Sequence, residues 1–478
     1  MTVPNAQIDK VDGNTGVVRP GADGICAVLA PSSAGTANQP ASYSKGADVA
    51  TDFGKGLLPE YVAWMMQFTQ KSAVVVKTAA SVAAVIGAIT AVANGTSVIT
   101  ATGTPVDDYK VIVKFIVGAT IGVTGATYQY TLDDGVNWSP VTALGVATSI
   151  VLGTSGVTVN FAAGTVLADQ TSTFATTAAR MNNADLVAAL EALRLTSLPF
   201  EHIMVAGPLD ATMLATIAAW RALRDSDGRF YSWSSNTRPA NAGESEATYL
   251  AAMVAIFGNS ADTFGLLHAG SFDCASPLTG LLQQRDACLA ITTRSLSVDL
   301  SVMASRVSDG PLSGVAIKDS RGNPKYHDEM LSPGFDAARF SVLRSIDGYP
   351  GTYVNLPTVF SGAGSDYVFF PHCRVMNRAC KIAKDMLTQK LSSGVRKDEN
   401  AHILEVDAAE IELLITETLT GELGVHSTGV GFVLSRNDDL GSNGGKTLTG
   451  EVWVVPLVYV TGFRVKALFR RTIPASVA

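Results

Sequence analysis

The sequence is short of charge. Lys, Arg, Asp and Glu supply 16% of its 478 residues, against about 25% in an ordinary soluble domain. Apolar residues supply 47%, and the mean hydropathy is +0.24. Either a membrane protein or a chain that covers much of its surface with copies of itself fits this balance, because large permanent interfaces are more apolar than a monomer's exterior. The first reading finds little support. The longest apolar run, Ala73 to Asn94, carries Lys77 and several Thr and Ser, whereas a spanning helix needs about 20 predominantly apolar residues with charged flanks. The N-terminal stretch MTVPNAQIDKVDGNTG has neither a basic start nor an apolar core, so no secretory signal is read there and synthesis in a cytoplasm is expected. The formal net charge of −7 excludes a general nucleic-acid binder, which needs a basic face.

Motifs of chemistry are equally scarce. No GxSxG elbow and no HExxH occurs. LGSNGGKT ends in Gly445-Lys446-Thr447, but Leu440 stands where a phosphate-wrapping loop needs its first glycine. HAGSFDC places His268, Ser271, Asp273 and Cys274 together after a strand, and nothing else in the sequence nominates the third member of a triad. The six histidines are scattered, and the adjacent residues His327, Asp328 and Glu329 do not face one metal from a helix or a strand. Asp133 and Asp134 are read as a hairpin turn, without a calcium ion. Neither a catalytic residue, a metal nor a cofactor is therefore expected. The five cysteines, Cys26, Cys274, Cys288, Cys373 and Cys380, show no CxxC spacing. Reduced thiols are the plain expectation, with bridges between subunits as the alternative.

The periodicities are more informative. Residues 1–24 are polar, with no apolar repeat, and read as either a dispensable tail or an arm that docks on something else. PEYVAWMMQFTQ spaces Tyr61, Trp64, Met65 and Phe68 as a helix, and SAVVVK is a core strand. From about residue 94 to 177 the chain turns to alternating runs, YKVIVKFIV, ATYQYTL and VTVNF, with Asp134-Gly135 as a hairpin cue. An inserted β-sandwich is expected there. Tyr128, Tyr130 and Trp138 fit its core, with a sugar site as the alternative. From Met181 strands and helices alternate, as in a mainly parallel sheet flanked by helices. The fold class is α/β, or α+β overall: a helix-flanked mixed sheet with an inserted β-sandwich and extended terminal arms. The expected parts are an arm at 1–24, a core at 25–93 and 178–345, the insertion at 94–177, a C-terminal domain at 346–457 and a second arm at 458–478. A long helix from Arg374 places Arg374, Arg378 and Lys381 on one arc. The last strand carries Arg464, Lys466, Arg470 and Arg471.

The segment GYPGTYVNLPTVFSGAGSDYVFFPHCRVMNRACKIAKDML, from Gly348, resembles the C-terminal region of contractile-tail sheath proteins of phages and related injection machines. In that family a G-x-Y-V strand, a GSDY turn and an R-V-x-N helix follow one another; the last is here Arg374, Val375 and Asn377. GTPVDDYKVIV, YQYTLDDGVNWS and GVTVNFAAGT are similar to an insertion of phage sheath proteins. Pro350 and His372-Cys373 have no counterpart in the family pattern. The resemblance implies a structural subunit, not an enzyme. Such subunits polymerise as stacked hexameric rings, a helical homo-oligomer around a tail tube protein. Baseplate and tail terminator proteins bound the polymer, with neither nucleic acid nor membrane insertion. Contraction of the metastable sheath drives the tube through a cell envelope, and the assembly belongs to the virion. Strands at the chain ends would pair with neighbours, through Val3, Ile8, Val11, Val17 and Val18 at one end. Tyr459, Phe463, Arg464, Val465, Lys466, Leu468, Arg470 and Arg471 would do so at the other. Arg374, Arg378 and Lys381 are candidates to meet the tube or a neighbour. Another self-assembling surface or shell protein is the alternative, and an α/β hydrolase a more distant one.

Overall fold

The computed structural model describes residues 24–92, 95–362, 364–391, 393–441 and 447–461. The chain divides after Leu391 into two compact units. The first is built on a six-stranded sheet, in the order Gly265–His268, Ser232–Asn236, His202–Pro208, Cys26–Ala30, Ala73–Lys77, Ala41–Tyr43. Every neighbouring pair is parallel except the last. The neighbouring strands CAVLA and AVVVK are apolar almost throughout because helices cover both faces of a parallel sheet.

Side chains alternate along each strand, so neighbours serve different cores. Cys26, Val28 and Val75 pack with Tyr61, Trp64 and Met65 of helix α2 (Leu57–Thr69) and with Leu289 of α6 (Ala287–Ser297). Ala27, Leu29 and Val74 face α3 (Asn183–Leu195), α4 (Ala211–Ser226) and α5 (Glu246–Phe257), through residues such as Leu190, Ile217 and Met253. Start signals in the sequence set these helices. Asn182 and Asp185 form a reciprocal capping box on α3, and Asp210 Oδ1 accepts from the Met213 N–H, 2.8 Å, at α4. Helix α2 buries Val62 and Ala63 as well as Tyr61, Trp64 and Met65, since it lies between the sheet, α1 (Gly46–Phe53) and α6.

The inserted β-sandwich has a core of its own. Strands Lys110–Val117, Thr127–Thr131 and Thr171–Thr177 pair antiparallel in one sheet, and Ile99–Gly103 and Val157–Phe161 in another. Phe115 and Phe161 meet between the sheets, ring centroids 5.4 Å apart. Short strands at Val85–Ile86 and Thr90–Val92 already pair with Thr171–Thr177, ahead of the expected start at residue 94. The turn Asp134-Gly135 has φ of 60° and 91°, the left-handed pair that a two-residue hairpin asks for. Tyr128 and Tyr130 pack against the sandwich core.

The expected boundary at 345/346 is not where the chain divides. The hairpin of Leu343–Ile346 and Tyr349–Val354 belongs to the first unit. So does α7 (Phe370–Lys390), whose Phe370 and Cys373 join the core under the sheet. Pro371 sits at the start of α7, where a missing N–H costs nothing. The second unit contains α8 (Glu405–Leu423) and a hairpin of strands Ser427–Leu434 and Gly450–Pro456. Among the described residues no helix is long and apolar enough to cross a membrane.

Candidate functional site

The residues that looked reactive in sequence are tied up in the fold. His268 is sealed at the end of its strand, and burial lowers its pKa to about 3. Asp273 pairs with Lys325 and accepts from the Tyr326 hydroxyl, 2.5 Å away. The Ser271 hydroxyl accepts from Gln284 Nε2, 2.9 Å, and burial pushes the Cys274 thiol up to about 12. The fold thus gives each of these groups a partner or a setting other than one another. His327 lies between Glu246 Oε2, 2.8 Å, and Glu329 Oε2, 3.1 Å. Burial works against its charge, but the two carboxylates outweigh that and raise its pKa to about 9. Asp328 accepts from the Ser345 backbone N–H, 2.9 Å. Both oxygens of Asp133 are occupied, by Thr131 Oγ1, the Asn137 N–H and side-chain amide, and the Leu282 N–H. The Gly445-Lys446 pair lies outside the described residues.

The cysteines correct one expectation. Cys26, Cys274, Cys288 and Cys373 are buried, so bridges to other subunits through them would require the subunit to open. Burial raises all four thiol pKa values, that of Cys288 to about 12. Cys380 is half-buried, its thiol pushed up to about 11 by burial and by Asp225.

The basic arc on α7 is also corrected in part. Arg374 is 2% exposed and points inward. Its Nε donates to Glu201 Oε1 at 2.7 Å and its Nη1 to the Ser295 carbonyl at 2.7 Å. Burial alone would raise the Glu201 pKa, but Arg374 and the Gly24 N–H bring it down to about 2. A helical wheel places Arg374 on an arc with Arg378 and Lys381, but only the tertiary fold supplies Glu201 beneath it. Next to Glu201, His202 bonds Ser232 Oγ and Ser234 Oγ, each at 2.8 Å. That network explains why the polar strand SWSSN is buried. Arg378 and Lys381 are half-buried, with the Lys381 Nζ 5.8 Å from the Tyr231 ring centre.

The candidate assembly surface is the hairpin of the second unit. Val430, Phe432 and Leu434 join Ile411, Ile415 and Leu419 of α8 among its buried residues. Two N–H groups on the outer edge of Ser427–Leu434 are covered by α8: Phe432 donates to Thr416 Oγ1, 3.2 Å, and Leu434 to Glu412 Oε1, 2.7 Å. Arg436 locks that side by pairing with Glu412 and Glu405. In an antiparallel pair, successive residues point their backbone groups to opposite edges. Given the pairing of Phe432 with Val452 and Val430 with Val454, Val452 and Val454 turn theirs to the far edge. No further strand stands there among the described residues. Trp453 and Val455 on this strand are 40% and 48% exposed. The chain then runs through Val458 and Val460, both exposed, with Tyr459 between them half-buried and its hydroxyl pKa raised to about 12 by burial. The other arm residues, Val3, Ile8, Val11, Val17, Val18, Phe463, Arg464, Val465, Lys466, Leu468, Arg470 and Arg471, lie outside the described residues. In sequence the hairpin was legible from GVGFVLSRND and GEVWVVP; which of its edges is covered was not.

Comparison with known proteins places this architecture. The fold is similar to the sheath of an extracellular contractile injection system, PVC, in its contracted state: TM-score 0.54 at 8% identity, covering 99% of each chain. A sheath tail protein of Listeria innocua matches at TM-score 0.47 and 13% identity, over 92% of this chain and 96% of that one. Another from Desulfitobacterium hafniense matches at 0.46 and 12%, over 94% and 100%. No curated protein matches the sequence. The likeness to the injection-system sheath is one of fold. The family model described as DUF2586, N-terminal domain, matches residues 3–355. That is most of the chain, which therefore belongs to the DUF2586 family.

Proposed function

We propose that the chain is the structural subunit of a contractile tail sheath. It polymerises as stacked hexameric rings around an inner tube and contracts to drive the tube through a cell envelope. The observation that carries this reading is the open edge of Gly450–Pro456, in a chain with a sheath fold. A seven-residue strand rich in valine, with one edge unpaired among the described residues, is a template for another chain. A flexible segment that adds a strand there gains main-chain hydrogen bonds. Residues 2–18 and 458–473 of neighbouring copies are the segments assigned to this role, and the assembled sheath is a virion component with tube, baseplate and terminator as partners. Arg378 and Lys381 remain candidates for contact with tube or neighbour. The low charge of the sequence fits a surface largely covered by copies.

Electron microscopy of the purified full-length protein tests this. Striated hollow tubes are expected; flat sheets or closed shells would favour the rival assembly. Deleting residues 2–18, or 458–473, is expected to leave a folded monomer, and tubes formed by either truncated chain would refute the strand-exchange reading.

A further inference from the structure

The order of the main sheet reverses beside Cys26–Ala30. Ala73–Lys77 lies on one side of it, and the later strands His202–Pro208, Ser232–Asn236 and Gly265–His268 follow on the other. In open α/β sheets, ligands bind outside the carboxyl ends of the strands at such a reversal. A cleft of about 400 Å³ opens there, within the range of small-molecule sites. Pro208 lines it from the end of its strand, and Pro239 and Ser271 from just beyond the ends of the next two. The inserted sandwich forms the opposite wall, through Lys110, Asp134 and Val136. Arg285 grips Asp107 at the foot of the sandwich with two hydrogen bonds of 2.8 and 2.7 Å, both side chains almost wholly buried. The two walls are thereby fixed to each other.

Pairing leaves the lining acidic. Arg180 holds Asp108 at 2.5 Å, Lys325 holds Asp273, and Arg285 is taken up by Asp107. The carboxyls of Asp133, Asp134 and Asp286 are then left against the ammonium of Lys110. Burial opposes the charge of Asp133, but bonds from Asn137, Thr131 and Leu282 outweigh it and hold the carboxyl below its usual range. Those donors carry no charge, so the negative charge of Asp133 stays in the cleft. Asp134 is exposed, with no ion-pair partner among the described residues. Asp286 Oδ2 accepts from the Tyr61 hydroxyl at 2.8 Å, and its Oδ1 has no hydrogen-bond partner among the described residues. Burial pushes the Asp286 carboxyl above the usual carboxylate range, although Arg180 and the Tyr61 hydroxyl act against it. Its charge is thus under-compensated by the protein. Among the described residues no group of His, Cys, Asp and Glu is placed to hold a metal ion. The rest of the lining includes Leu132, Val136, Pro208 and Pro239, an apolar surface suited to methylene groups. An organic cation with an aliphatic body matches both features.

We propose that this cleft binds a small aliphatic diamine, with one ammonium group on Asp286 Oδ1, the other beside Asp134, and the methylene chain against Val136 and Pro239. The site lies within the first unit and does not depend on the sheath reading. It gives the junction of sandwich and core a recognition role that polymerisation does not require.

Isothermal titration of the full-length protein at low salt tests the proposal. The probes are putrescine, cadaverine and agmatine. Butane-1,4-diol, succinate and magnesium chloride are the neutral, anionic and inorganic comparators. Saturable binding of at least one amine is expected, weakened about tenfold or more by Asp286→Asn and by Asp134→Asn. Asn tolerates the left-handed backbone at position 134, where φ is 60°, so the melting temperature of Asp134→Asn should match the parent's. Lys110→Met removes the one opposing charge and should tighten amine binding severalfold, whereas a neutral or anionic ligand would bind no better. Absence of saturable amine binding, equal or tighter binding of a comparator, affinity unchanged in both Asp variants, or weaker binding to Lys110→Met would overturn the proposal.

Discussion

Replacing Arg374 by Met separates an inward-facing side chain from an outward-facing one. Arg374 is 2% exposed and its guanidinium pairs with Glu201, itself 3% exposed. Removing one member of a buried pair leaves the other charge desolvated without compensation, at a cost of about 3–5 kcal/mol. Arg374→Met also strands the carbonyls of Ser295 and Val298 that its Nη1 serves, at 2.7 and 3.2 Å. Glu201→Gln leaves the guanidinium buried and unpaired. The double variant Glu201→Gln/Arg374→Met removes both charges, and replacing a whole buried pair is often close to neutral. A double-mutant cycle therefore should show each single variant losing about 3–5 kcal/mol and the double variant recovering at least half of it. Urea unfolding followed by pulse proteolysis of the first unit measures this, with the midpoint shift read at constant slope. If Arg374→Met loses under about 1 kcal/mol while altering the salt dependence of assembly, the residue faces outward and the assignment is wrong.

Titration adds opposed pH signatures. His202 and His268 are held to about 3 by burial, so the unfolded chain binds the extra protons as pH falls below about 6.5. Stability should then drop toward acid by up to about 1.4 kcal/mol per pH unit for each ring, and His268→Leu should flatten the slope between pH 6 and 4; an unchanged slope would count against it. His327, raised to about 9 between Glu246 and Glu329, contributes stability that is complete below about pH 6.5 and lost as pH rises through about 9. Urea midpoints of His327→Gln should accordingly vary less than the parent's between pH 7 and 9.5. For the thiols, iodoacetamide on the native subunit should label Cys380 ahead of Cys26, Cys274, Cys288 and Cys373. All five should react in urea, and fast native labelling of any buried one would refute the packing.

Local signals determined much of this protein from sequence alone. An apolar run marked Ala73–Lys77 as a core strand, and Asp134-Gly135 marked a turn. Each depends on backbone preferences within a few residues, so the sequence carries it directly. Pairings between distant segments were decided only by the tertiary structure. A basic arc on α7 looked like a surface patch until Glu201, 173 residues away, supplied its buried partner. Cysteines without spacing looked available until the sheet and its helices closed over four of them. The polar strand SWSSN is buried because His202, 30 and more residues away, bonds Ser232 and Ser234. One edge of the last hairpin is covered by α8, because Thr416 and Glu412 reach the N–H groups of Phe432 and Leu434, and no described strand pairs with the other. Burial and charge compensation depend on what the folded chain brings alongside, and no periodicity encodes that.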